Sequence, residues 1–318
     1  MKPLRLVPRD TAVPFVKHRL LAFAFSAALV LGSIAAVLGI GLNFGIDFKG
    51  GTLIEVRTSE PANIGQMRSD LNGLDLGEIS LQEFGSERDV LIRIQRQEGE
   101  EAEQIKAIEV VRNTLPADVE FRRTEFVGPT VGQELIEAGI LAVGLALLSI
   151  LIYIWFRFEW QFGVGAIVAL SHDIISTLGL FAIIQHEFNL ATVAAVLTIA
   201  GYSINDTVVV YDRVRENLRR YKTMPLAELF NISVNDTLSR TTMTSLTTLL
   251  ALFAIYFFGG AVLADFALAM IWGIVVGTYS SIFIAVPLLL YTGLRRGDDD
   301  TGDESMLPEY ERTVKNGS

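Results

Sequence analysis

The 318-residue chain contains no cysteine, which excludes a disulfide framework and any thiolate-ligated metal or redox centre. It also lacks a basic surplus: 26 Lys and Arg stand against 36 Asp and Glu, a net charge of −10. Nucleic-acid binders draw affinity from cations that neutralise phosphates, so nucleic acid is excluded as a partner class. No Gly-Lys-Ser/Thr opens a helix as a phosphate loop would. No Ser/His/Asp set or metal-ligand spacing is evident, so neither an enzyme nor a bound cofactor is expected. The last scarcity is of charge within long stretches. Hydrophobic residues make up 51% of the chain, only just above the soluble norm of about 45–50%, so the distribution of charge carries the argument and not its total.

Uncharged runs of about 18 residues or more mark membrane spans. The first runs from Leu20 into Gly45, too long for the core of a cleaved signal peptide. The others are Ala138 to Phe156, Trp160 to Gln185 interrupted only by His172 and Asp173, Phe188 to Tyr211 interrupted by Asp206, Thr241 to Ala264 and Phe266 to Leu294, making six. Short links at Arg157 to Glu159 and at His186 and Glu187 make spans two to four consecutive antiparallel hairpins. Lys2, Arg5, Arg9, Lys17 and Arg19 precede the first span, six cations lie between Asp212 and Arg240, and Arg295 and Arg296 follow the last. Positive charge collects on the cytoplasmic side, so both termini are expected there.

About 90 residues of soluble character separate the first two spans. Thr52 to Thr58, Ile79 to Phe84, Val90 to Ile94 and Val119 to Val127 read as strands, with helices at Ala62 to Leu74 and Glu100 to Leu115. The order βαββαβ predicts a small ferredoxin-like α/β domain. The expected organisation is a cytoplasmic N-terminus (1–19), first helix (20–42), external domain (43–133), helices two to four (134–211), cytoplasmic loop (212–240), helices five and six (241–294) and an acidic tail (295–318). A domain without catalytic chemistry outside a membrane most simply binds something.

Charged residues inside the spans are functional candidates by default. Thr198, Tyr202, Asn205 and Asp206 share one broad helical sector, and Arg240, Thr244 and Thr247 or Thr248 recur on the fifth span. Holding a carboxylate charged near a helix centre costs about 2.5–3.5 kcal/mol. Neutralising an ordinary carboxylate at pH 7 costs about 4 kcal/mol. The two nearly cancel, so a moving Arg would decide whether a proton is held. Two readings of Arg240 stand: a partner of the acid, or a snorkelling residue at the start of its span. By depth alone Asp173 is the more central acid, and His172 beside it is either a second titrating group or, more simply, a neutral hydrogen-bonded imidazole. Gly45, Gly50 and Gly51 punctuate the exit from the first span, where Asp47 and Lys49 have the charges to pair.

Together these passages resemble the SecF family of the bacterial SecD–SecF protein-export complex. The resemblance rests on Gly45-Ile-Asp-Phe-Lys-Gly-Gly-Thr, Ser171-His-Asp, Gly201-Tyr-Ser-Ile-Asn-Asp-Thr-Val-Val-Val-Tyr-Asp-Arg-Val-Arg-Glu-Asn and Ser239-Arg-Thr-Thr-Met-Thr-Ser-Leu-Thr-Thr-Leu, in order from Leu20 to Leu290. It implies the six-helix half of an RND-type transporter in the bacterial inner membrane, with one periplasmic domain. The implied partners are SecD, a SecY-containing translocon, membrane lipids and the emerging preprotein, and the implied energy source is the transmembrane proton gradient. It also assigns proton conduction to Asp206 and Arg240, leaving Asp173 as a supporting polar residue. A half-transporter exporting small amphiphiles by proton antiport, and a passive scaffold, are the competing functions.

Overall fold

The computed structural model describes residues 11–294 apart from 78, 98, 100 and 260. Lys2, Arg5, Arg9, Glu100, Gly260, Arg295, Arg296 and the acidic tail lie outside the described residues. Helix α1 (Arg19–Gly39) leads to a two-residue strand β1 (Asn43–Phe44) and a single helical turn α2 (Ile46–Lys49). The external domain follows: β2 (Gly51–Arg57), α3 (Ile64–Asn72), β3 (Ile79–Phe84), β4 (Ser86–Ile94), α4 (Glu101–Thr114) and β5 (Glu120–Val127). Its sheet has the order β3-β4-β2-β5, antiparallel at every pairing, the split βαβ arrangement of a ferredoxin-like sandwich. Alternation explains the core. Ile54 and Val56 of β2 and Val90, Ile92 and Ile94 of β4 face Met67 and Leu71 of α3 and Val111 of α4, all buried. Strand β4 begins four residues earlier than its alternation suggests, because it extends back to Ser86 through a tight turn in which Gly85 takes a positive φ of 68°.

Besides α1, the membrane-type helices are α5 (Pro129–Arg157), α6 (Trp160–Ile184), α7 (Leu190–Arg220), α8 (Leu226–Phe258) and α9 (Ala261–Ser280), with β6 (Glu187–Phe188) between α6 and α7. After α9 the chain forms a π turn over Ser281–Ala285, followed by a helical turn at Val286–Leu288. Among the described residues six stretches are long and apolar enough to cross a membrane, beginning at Val16, Gly132, Trp160, Leu190, Leu226 and Leu263. Helices α6, α7 and α9 form the centre and α5 the periphery, where Ile140, Leu141, Leu145, Leu148 and Phe156 are exposed as a lipid-facing helix requires.

Small residues let these helices approach closely, as dispersion packing between apolar helices demands. A Cβ on Gly179 of α6 would collide with Ser33 of α1, and one on Gly273 of α9 with Ile199 of α7. Most of the 212–240 segment is helical. α7 and α8 run past the apolar spans and turn at residues 221–225. That extension has its own core of Val214, Leu229, Phe230 and Val234, with Asn217 Nδ2 donating to Ser233 Oγ at 2.9 Å.

Candidate functional site

The α7–α8 turn sets the geometry. Contacts across the hairpin, Asn217 to Ser233 and Tyr202 to Thr248, set its register: Asp206 lies nearest the level of Thr244, and Arg240 stands one helical turn closer to the α7–α8 turn. Asp206 and Arg240 are not in ion-pair contact, since no N–O distance of 4.0 Å or less joins them. Asp206 is 3% exposed while Arg240 lies at the surface. Among the described residues the Asp206 carboxylate has no hydrogen-bond donor, and its Oδ2 is buried without a partner, as is Thr241 Oγ1 on the facing helix. Thr244 hydroxyl donates back to its own helix at Arg240 O (3.1 Å) and Thr241 O (2.9 Å), and Tyr202 OH reaches Thr248 Oγ1 at 3.4 Å. Thr198, Gly201, Asn205, Arg240 and Thr247 are exposed at membrane depth, a polar stripe that none of the described residues covers.

Asp173 is held quite differently. It is fully buried, and His172 Nδ1 lies 3.0 Å from Oδ1. Ser203 Oγ on α7 and Ser280 Oγ on α9 donate to Oδ2 at 2.5 and 2.8 Å. Gly277 packs close by: a Cβ there would stand 3.3 Å from Ser203 Cβ and in ordinary contact with Asp173 Oδ2. One face of α7, at Ser203, Thr207 and Tyr211, continues the seam: Thr207 shares a hydrogen bond with Ser281 Oγ (2.9 Å), and Tyr211 OH donates to Ala285 O (3.1 Å). The π turn presents that carbonyl. Such turns release a main-chain acceptor from the regular ladder and recur at functional sites. Ser203, Ser280 and Ser281 escaped sequence reading because isolated hydroxyls in apolar helices signal packing as often as chemistry; their only signal was the small-residue setting beside Gly277.

At the domain-bearing end, Asp47 does not pair with Lys49. Residues 46–49 form a helical turn, so positions two apart point in different directions. Asp47 Oδ2 instead accepts from Leu190 N at 2.8 Å, on the first turn of α7. Gly50 and Gly51 have φ of 71° and 123°, so the predicted need for glycine at this junction is physical. Gly45 has an ordinary extended φ of −71°; it is small because the Glu187 carboxylate lies against it. His186 Nε2 and Asn189 Nδ2 both contact Asp265, at 2.6 Å each.

A six-helix bundle with carboxylates buried in its central helices and a ferredoxin-like domain inserted after the first helix defines a multi-pass membrane protein of transport type. The family profile described as "Protein export membrane protein SecD/SecF, C-terminal" matches residues 106–295, and the "SecD/SecF GG Motif" matches residues 35–62. Protein translocase subunit SecF of Cereibacter sphaeroides is 47% identical over 303 residues, 92% of this chain and 94% of that protein. The SecF of Rickettsia bellii strain OSU 85-389 is 47% identical over 293 residues, covering 90% and 95%. The crystal structure of SecDF, a translocon-associated membrane protein from Thermus thermophilus, matches with a TM-score of 0.81 at 38% identity, over 91% of this chain and 39% of that one. SecDF in a super-membrane-facing form matches at 0.67 and 33%, over 100% and 41%. The chain thus spans about two fifths of the length of those SecDF chains. It belongs to the SecF family, the SecF subunits of the SecD/SecF protein-export complex, a family of transport proteins.

Proposed function

We propose that this SecF-family chain acts with SecD as a proton-motive-force-dependent accessory of the Sec translocase, promoting late steps of preprotein export across the bacterial inner membrane. The observation that carries the proton-coupling part is the Asp206 carboxylate, buried without a donor among the described residues and one helical turn from the level of Arg240. A buried acceptor left unpaired is costly, and a buried charge more so, which favours a group that exchanges a proton over one that holds a fold together. With Arg240 drawn close, Asp206 holds its charge; with Arg240 withdrawn, it takes a proton. Each proton crossing the full potential supplies about 2.3 kcal/mol per 100 mV. Asn205 and Thr244 line the path beside the pair, and the fully satisfied Asp173 holds α6, α7 and α9 in register.

The uncovered polar stripe on α7 and α8 supports a partner half, for which SecD is the candidate, and through it contact with a SecY-containing translocon. Both termini then face the cytoplasm and the ferredoxin-like domain faces the periplasm, where it engages the preprotein. The composition of its surface favours this over export of small amphiphiles. A cavity of about 480 Å³ beside the sheet mixes Lys49, Gln82, Arg93 and Arg96 with Phe44, Ile46, Leu81 and Ile94, and so differs from the predominantly apolar pocket an amphiphile needs. In vesicles holding the translocon, SecD and this chain, Asp206→Asn is expected to abolish the potential-dependent completion of export. Export that stays potential-dependent in that variant rules the proton-coupling reading out and leaves the passive scaffold.

A further inference from the structure

The end of α7 that points toward the external domain is joined to that domain by more than chain connectivity. Strand β1, on the way into the domain, pairs in parallel with β6 in the register Asn43 to Glu187 and Phe44 to Phe188, and Gly45 N donates to Phe188 O at 2.9 Å. Asp47 takes the free amide of Leu190, the first residue of α7. A carboxylate at a helix N-terminus is favoured by the helix dipole as well as by the hydrogen bond. Phe44, Phe48 and Phe188 close on one another with ring centroids 5.8–6.1 Å apart.

The fourth contact is long-range in the chain. Arg93 alternates with Ile92 and Ile94, which fill the domain core, so its side chain leaves the opposite face of the sheet. There Arg93 Nη2 binds Glu187 Oε2, with the two side chains only 14% and 9% exposed. Gly45 is the floor of this contact: a methyl there would stand 2.5 Å from Glu187 Oε1. An ion pair out of water is weak evidence for stability, because desolvation offsets its attraction. Its direction is informative, since it joins the middle of the external sheet to the residue three before α7.

We infer that Arg93 and Glu187, seated on Gly45, form a rigid joint through which displacement of α7 at Asp206 is carried into the external domain. Both are positioning residues and neither touches the proton. The inference rests on the proton-coupled reading of Asp206, and the two fail separately.

The test uses the full chain reconstituted with SecD and the translocon, measuring proton flux and export stimulation in the same vesicles. Arg93→Gln and Glu187→Gln are expected to assemble and to pass protons within twofold of the parent while losing export stimulation at least tenfold. The exchanged pair, Arg93→Glu with Glu187→Arg, is expected to recover most of it. Gly45→Ala, which displaces the carboxylate without removing a charge, is expected to behave like the single variants. Export within twofold of the parent in both single variants overturns the joint, as does a parallel loss of flux or of assembly in all three. Unchanged flux in Asp206→Asn defeats the underlying reading whatever the joint does.

Discussion

Asp206 and Asp173 occupy the same bundle under opposite conditions. Three side chains satisfy Asp173 at 2.5–3.0 Å, whereas none among the described residues satisfies Asp206. Truncating a satisfied buried acceptor strands its donors, so Asp173→Ala should cost stability, about 1–3 kcal/mol for each donor left unpaired, read as a fall in thermal unfolding temperature in detergent. Asp206→Asn should leave that temperature nearly unchanged. Arg240→Met separates coupling from snorkelling: the proposed role predicts lost export stimulation with normal insertion, and full activity would leave Arg240 as an interfacial anchor. In the external domain, Arg57 and then Ser86 hold the Asp89 carboxyl below its ordinary value near 3.8, against burial, which raises it. Arg57 Nε and Nη2 each lie 2.6 Å from Asp89 oxygens. The folded value is depressed, so this contribution is present above the unfolded value and is lost as pH falls through the folded one. Hydrogen exchange at β2 and β4 amides should accelerate over that acid range, and Asp89→Asn should flatten the dependence. The candidate acids were legible in the sequence because a charge inside an apolar run stands out. Their ranking was not, since the hydroxyls that separate them lie on other helices.

Helices and strands followed their periodicity closely, and the exceptions have physical causes. The α7–α8 hairpin outlasts its apolar spans because Val214, Leu229, Phe230 and Val234 give the polar extension a core of its own, which hydropathy averaged over a span does not reveal. That extension sets the register that brings Thr244 level with Asp206 and leaves Arg240 one helical turn away. Two-residue strands such as β1 and β6 leave no alternation to read, and the value of Glu187 emerges only when Arg93 arrives from 94 positions earlier. Glycine roles were half legible. Gly179 reads like any small residue in a span, yet Ser33 of α1 fills the space its side chain would take. Gly179→Val should therefore part α1 from α6 at a cost of about 1–3 kcal/mol, measurable by thermal unfolding in detergent. Gly139→Ala on peripheral α5, where a Cβ meets nothing within 4 Å, should leave the unfolding temperature unlowered.

Taken as a whole, the molecule sets an acidic external domain against basic edges. Residues 43–133 carry ten Lys and Arg against seventeen Asp and Glu, while the 211–240 hairpin carries six cations against four acids. The net charge of −10 therefore describes two oppositely charged ends and not one surface. Deleting residues 52–128 should preserve assembly with the partner half and abolish export stimulation; loss of assembly would make the domain structural. The missing cysteines make the molecule suited to labelling, since any introduced thiol is unique. Whether protons move by way of Asp206 is decided by flux across vesicles holding this chain and SecD under an imposed potential. That flux is expected to fall to background in Asp206→Asn and to survive in Asp173→Asn. Flux that persists in Asp206→Asn rules the proposed role of Asp206 out.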